Sequence, residues 1–314
     1  MAQTGTDIEK AKALLIKGEL VAIPTETVYG LAGNALEPSS VAKIFEVKGR
    51  PQFDPLIVHV PDFESAQKYA LDIPEQAAIL AQHFWPGPLT LLLPKKDIIP
   101  DLVTSGLDTV GLRCPDHPLT HKLLETLPFP LAAPSANPFG YVSPTCAEHV
   151  EEQLGDKIAY ILDGGPCKIG VESTIAGFEN SLPIIYRLGG ITQEQIELVV
   201  GKVNVRTHST SNPKAPGQLQ SHYAPRKKVI LGNIDDLLKQ YGTKETGILS
   251  FQHDFNSSLQ FILSPSGQLT EAAQNLFLAL RMLDKMPIKY ILAEPVPDVG
   301  LGKAINDRLR RAAG

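Results

Sequence analysis

Lys48-Gly-Arg-Pro-Gln-Phe-Asp-Pro-Leu56 sets two cations around one glycine inside a proline-restricted turn. A lysine offers a compact point charge and an arginine a planar fork, a pairing suited to a polyphosphate. Gly49 would let the backbone approach a ligand, and Pro51 and Pro55 would stiffen the loop. The competing reading is a solvated helix end whose cations complement the helix dipole. Arg113 closes the run TVGLR, Arg187 closes PIIYR, and Ser135 and Asn137 close LAAPSAN. These are strand ends, where α/β folds gather their sites. Pro24-Thr-Glu-Thr-Val-Tyr-Gly-Leu31 follows a buried strand with hydroxyls and a carboxylate, and Glu172-Ser-Thr174 adds more. Alone, the first of these reads equally as a turn, and His59 within IVHV as a satisfied strand histidine. Together the segments describe an anion-binding, phosphate-competent site with hydroxyl donors and neither a covalent nucleophile nor a built-in metal cage.

Several other chemistries are excluded. No G-x-G-x-x-G opens a helix, and Gly165-Pro-Cys-Lys-Ile-Gly170 is followed by Val171 where a phosphate loop needs lysine. HExxH and G-x-S-x-G are absent, and the 8 histidines form no compact ligand set. Cys114, Cys146 and Cys167 contain no CxxC pair, which argues against a disulfide framework or structural zinc and fits a reducing cytoplasm. The first residues carry no basic-then-apolar leader, and no apolar run reaches membrane-spanning length, about 18 residues. Asn256-Ser-Ser then reads as a chance match to a glycosylation acceptor.

The elements that must position these residues are legible in outline. The chain has 314 residues, 43% hydrophobic and 20% charged, about two domains' worth of foldable sequence. In the first 200 residues, strand-like runs at 20–24, 56–60, 89–93, 109–113, 131–134, 158–162 and 183–187 alternate with helical stretches. Asp7 reads as an N-cap with Gly18 as the stop, and Ser39 or Ser40 as the cap of a helix carrying Val41, Ile44 and Phe45. Beyond residue 227 the pattern is β-α-β-β-α-β-α, a small, parallel, Rossmann-like sheet with covering helices. The expected division is a catalytic domain over 1–203, a linker over 204–226 and a smaller α/β domain over 227–314. Charge follows it: residues 1–200 hold 14 Lys+Arg against 25 Asp+Glu, whereas 201–314 hold 15 against 9. Across 201–228 stand Lys202, Arg206, Lys214, Arg226, Lys227 and Lys228 with no acidic residue. The acidic first part is a poor nucleic-acid module in bulk.

PTETVYGLAGNA, KGRPxxxPLIVHV, WPGPLTLLL, VGLRCPDHP, APSANPFGYVSPT and GVESTI closely resemble the YrdC-type threonylcarbamoyl-AMP synthases. The resemblance continues through APGQLQSHYAP to LGKAINDRLRRAA, as in the long, two-domain members. It implies an N-terminal twisted mixed sheet with flanking helices. It implies an enzyme that joins L-threonine, bicarbonate (or carbon dioxide) and ATP into threonylcarbamoyl-adenylate, releasing pyrophosphate, for tRNA adenosine modification next to the anticodon. Mg²⁺ would accompany the ATP, and the tRNA threonylcarbamoyl-transfer machinery would take the product. Matched position by position, the resemblance makes Lys48 and Arg50 the catalytic phosphate ligands. It places Thr27, His59, Arg113, Ala133 and Ser173 around threonine. Arg50, Asp54, Thr109, Ser135, Ser143, Arg187 and Tyr223 would contact ATP.

Two departures stand out. The family commonly has Asn where this chain has Asp54, and a carboxylate beside a triphosphate needs Mg²⁺ or an arginine to intervene; Asp54 recruiting the metal is one expectation. PGQLQSHYAP lacks the methionine and basic residue more often found before the histidine. The acid-free linker is expected to close over the ATP site. Direct contact with tRNA or double-stranded RNA, and a carbamoyl-transfer role on the same fold, are the alternative readings.

Overall fold

The computed structural model describes residues 1–179, 182–207, 215 and 223–314. Among them, 11 strands form one mixed sheet in the order Gln3–Gly5, Tyr160–Leu162, Val21–Ile23, Gly30–Asn34, Leu131–Ala132, Ile57–His59, Thr109–Arg113, Leu89–Pro94, Thr174–Glu179, Leu182–Arg187, Asn204–Val205. Leu89 to Leu93 are buried throughout, as an interior strand covered on both faces requires. The register sets the site. His59 lies opposite Arg113, Leu89 opposite Thr174, and Gly30 bridges to Ser135. Polar strand ends distant in sequence therefore gather at one end of the sheet.

The helix Pro38–Lys48 shows how a cation reaches that place. Val41, Ile44, Phe45 and Lys48 are its buried stripe, at the i, i+3, i+4, i+7 spacing of one helical face. Lys48 thus points inward with the apolar residues, and the solvated-helix-end reading fails. The helix starts one residue before the serines proposed as caps: Pro38 opens it after Glu37, and the Ser40 hydroxyl instead donates to the Gly18 carbonyl at 3.2 Å. Gly49 ends it in the left-handed region at φ +60. A Cβ there would meet no protein atom within 4 Å, so what calls for glycine within the protein itself is the positive φ of the chain reversal that leads into Arg50. Gly49→Ala should accordingly lower stability by ~1–2 kcal/mol through backbone strain alone. Urea unfolding checks this, and a wild-type midpoint would count against it.

The second sheet is all parallel, in the order Lys228–Leu231, Tyr290–Ala293, Thr246–Ser250, Gln260–Ile262. The strand–helix rhythm matches the sequence reading; the strand order adds that the last strand lies between the first and second. Period-two alternation divides its faces. Ile248 and Leu292 pack with the helix Ile234–Tyr241, whereas Leu249, Ile291 and Ala293 pack with Leu269–Lys285 and Leu301–Ala313. The linker is not wholly structureless: Asn204–Val205 pairs in parallel with Ile184–Ile185, and Ala215 is buried in a cluster with Ile57, Ile184 and Tyr186.

Candidate active site

The gathered strand ends line a cleft. Of the residues expected there, Arg50, His59, Arg113, Ala133, Ser135, Arg187 and Tyr223 form its wall. Five more stand directly behind, each bonded to a wall residue. The Thr27 hydroxyl accepts from Arg113 at 2.9 Å, and the Lys48 ammonium donates to the Ser135 carbonyl at 2.5 Å. Asp54 pairs with Arg50 at 2.9 Å, and Arg187 donates to the Ser173 hydroxyl at 3.0 Å. Ser143 donates at 2.6 Å to Glu172, itself a wall residue. Thr109 alone is not brought in. It pairs with Pro94 at the far end of the strand that Arg113 closes, about 13 Å away at ~3.3 Å per residue. Being on one strand with Arg113 does not place it at the same sheet edge.

Burial sets the electrostatics. Lys48, Arg50, Arg113 and Arg187 are 3%, 8%, 4% and 6% exposed, so four cations are held in low dielectric where an anion would feel them strongly. Each is steadied by protein acceptors. Lys48 also donates to the Asn137 carbonyl at 2.5 Å, and Arg50 to the Asp54 and Pro55 carbonyls at 2.9 and 2.8 Å. Burial, reinforced by the Arg50 charge, pushes the Lys48 ammonium well below its ordinary pKa. Burial pushes the Asp54 carboxyl up against the pull of Arg50, Lys48 and Arg187. Asp54 thus has the arginine named as one neutraliser of this departure beside its Oδ2, while its Oδ1 is buried without a hydrogen-bond partner. Among the described residues no cluster of three or more His, Cys, Asp or Glu is arranged to hold a metal.

Arg113 is gripped on one side only. Its Nη2 meets the Glu26 carboxylate at 2.7 Å and the Thr27 hydroxyl at 2.9 Å, while its Nε is buried without a partner. His59, beside it, is pushed down to about 3 by burial and then by the Arg113 charge, so its ring is neutral. Val28, Ile57 and Pro134 complete an apolar flank. The site thus pairs a guanidinium for a carboxylate with an imidazole, hydroxyls and a small hydrophobic wall on one side. On the other it sets the buried cations Lys48, Arg50 and Arg187.

Two profiles match the chain end to end. One described as "Telomere recombination", covering the Sua5, YciO and YrdC proteins, fits residues 13–189. The other, "Threonylcarbamoyl-AMP synthase, C-terminal domain", fits residues 191–314. The threonylcarbamoyl-AMP synthase of Pyrococcus abyssi is 43% identical over 322 residues, covering 98% of this chain and 94% of that protein. The chain belongs to the threonylcarbamoyl-AMP synthase family. The Bacillus subtilis synthase is likewise 43% identical, over 98% of this chain and 93% of its own. The crystal structure of P. abyssi Sua5 complexed with L-threonine superposes with a TM-score of 0.93 at 41% identity, over 100% of this chain and 97% of that one. Both sheets are therefore those of a two-domain synthase.

Some functional features were not read from the sequence. Glu26 and Glu172 were noted only as members of polar segments, yet each forms a buried ion pair with a cation, Arg113 and Arg308 respectively. The helix Gln193–Val200 was missed although Thr192 and Gln195 form a capping box, a readable signal. The expected closing linker lies largely at 208–214 and 216–222, outside the described residues. Tyr223, at its end, is 1% exposed and stacks on Phe277 with centroids 5.6 Å apart.

Proposed function

We infer that this protein is an enzyme, a nucleotidyltransferase that makes L-threonylcarbamoyl-adenylate from L-threonine, bicarbonate and MgATP with release of pyrophosphate, for tRNA threonylcarbamoylation. The observation that carries the site reading is the convergence of Arg50, Arg113 and Arg187 with the neutral His59 on one cleft. In the assignment proposed here, the exposed-to-ligand edge of Arg113 takes the threonine carboxylate as a fork, with Thr27, His59, Ser173 and the Ala133 backbone around the rest. The threonine amine, as free base, attacks bicarbonate; water leaves and a carbamate forms. A carbamate oxygen then attacks the α-phosphorus, and the bond to the β-phosphate oxygen breaks. Lys48, Arg50 and Arg187 would take the phosphates, aided by Ser135 and Ser143, so that charge on the departing pyrophosphate is met by fixed cations. The nucleophile belongs to the substrate, which fits a site without an activated serine or cysteine.

Mg²⁺ enters as part of the nucleotide, its coordination supplied mainly by phosphate and water. The cleft is a small cavity of about 50 Å³, so admitting a nucleotide calls for its wall to open. An RNA-facing role is disfavoured by the same burial: the site's cations are turned inward, not spread on a surface. We further propose the division 1–203, 204–226 and 227–314, action in the cytoplasm, and transfer of the product to tRNA by a separate enzyme. No helix among the described residues is long and apolar enough to cross a membrane. The test is incubation with ATP, bicarbonate and labelled threonine. Threonine-dependent pyrophosphate and a labelled, labile adenylate are expected; ATP turnover indifferent to threonine overturns the reading.

A further inference from the structure

The helix Leu301–Ala313 belongs to the second sheet's layer, yet it sends a side chain to the wall of the cleft. Arg308 is fully buried. Its Nε donates to Glu172 Oε2 at 2.9 Å, its Nη2 to the Leu188 carbonyl at 2.9 Å and its Nη1 to Asp307 Oδ2 at 2.7 Å. Its guanidinium carbon lies 5.0 Å from the centre of the Tyr223 ring. Asp307 is held in turn by Arg311 at 3.0 Å, so the orientation of Arg308 is fixed from behind. Glu172 lines the cleft, and its other oxygen accepts the Ser143 hydroxyl at 2.6 Å. A second arginine, Arg281 on Leu269–Lys285, donates to the carbonyls of Val142 and Ser143 and fixes the same loop.

A carboxylate in the wall of a triphosphate site is a physical problem. Like charges in a low-dielectric cleft repel strongly, and Glu172 is buried with little water to screen it. Burial alone would raise the Glu172 pKa, but Arg308 and then Arg187 hold it lowered, so it stays an anion. Mere attachment of one layer to the other does not call for this arrangement, since well-packed apolar residues serve as well as a buried ion pair.

We propose that Arg308 is a positioning residue for the nucleotide subsite: it neutralises Glu172 and thereby fixes the Ser143 hydroxyl at the cleft wall. The C-terminal layer on this account is a working part of the synthase site. The proposal rests on the nucleotide reading given above and adds to it a residue remote in sequence.

The experiment measures MgATP affinity by calorimetry on the full chain for wild type, Arg308→Met, Glu172→Gln and the double variant. Arg308→Met strands a charge in the wall and should weaken MgATP about ten- to hundred-fold, which is about 1.4–2.8 kcal/mol of like-charge repulsion. Glu172→Gln removes the negative charge from the wall while Arg308 keeps Asp307, and should tighten MgATP severalfold. The double variant removes the stranded carboxylate and should recover most of the loss. A double variant as weak as Arg308→Met, or weaker binding in Glu172→Gln, overturns the proposal; a purely structural Arg308 gives both. Should Arg308→Met fail to fold, Glu172→Gln still decides. A folded wild-type protein that binds no MgATP defeats the nucleotide reading itself, whereas wild-type binding without the rescue defeats only this inference.

Discussion

Arg113→Ala should both destabilise the protein by about 3–5 kcal/mol and reduce threonine affinity at least about a hundredfold. The stability loss arises because Glu26, 3% exposed, would lose the guanidinium that meets it at 2.7 Å and remain a buried, unpaired anion. The affinity loss follows from the proposed role of Arg113 as carboxylate ligand, since its guanidinium stands in the cleft wall. The two effects separate in the double variant Arg113→Ala/Glu26→Gln. Removing the stranded charge should restore much of the stability, read by urea unfolding, and none of the threonine affinity, read by calorimetry. Arg113→Lys is a sharper probe of geometry. An ammonium can satisfy Glu26 but cannot reach Glu26, Thr27 and a carboxylate as a planar fork does, so stability should survive better than binding. Threonine affinity unchanged in either single variant would remove Arg113 from the substrate site.

This two-sided use of Arg113 explains what sequence patterns reveal of such a site and what they do not. The inward turn of Lys48 follows from the phase that Val41, Ile44 and Phe45 set for its helix, a local property, although its loop alone left a solvated helix end equally open and only the family resemblance gave it a role. The second layer was legible for the same reason: its strands and helices each carry their own period, and the observed Lys228–Leu231 through Leu301–Ala313 follow it. Gly30–Asn34 was not legible as a strand. GLAGN has little intrinsic β-propensity, and its extension is imposed by the neighbours Val21–Ile23 and Leu131–Ala132. Thr109 shows a related limit: the strand is read correctly, but a strand pattern alone does not say which of its ends lines the cleft. Glu172 and Arg308 are 136 residues apart, and no periodicity links them. Only the packing of two independently formed layers brings an anion and its counter-ion together, so that pair was invisible until the fold was known.

Acid should destabilise this protein as pH falls below 6.5, and the buried histidines His59 and His149 should be the main reason. Burial first, and neighbouring arginine charge second, push His59 from 6.5 down to about 3 and His149 down to about 4. His149 Nδ1 accepts the Thr145 backbone N–H at 3.2 Å, a bond that protonation would abolish. Between pH 6.5 and those values the unfolded chain binds protons that the folded one refuses, so stability falls as pH falls. Each histidine should contribute a slope approaching about 1.4 kcal/mol per pH unit well inside that window. Glu172, whose folded pKa is lowered, contributes loss only below the ordinary glutamate value of 4.5; His117, also lowered by burial, adds to the loss above it, and Asp54, raised by burial, opposes it. Urea midpoints between pH 6.5 and 4.5 should therefore drop in the wild type and drop less steeply in His59→Gln. An undiminished slope in His59→Gln would mean that His59 is protonated in the folded protein. The consequence reaches the chemistry. A neutral imidazole beside Arg113 adds no second cation there, and threonine binding should show no ionisation of His59 near neutral pH.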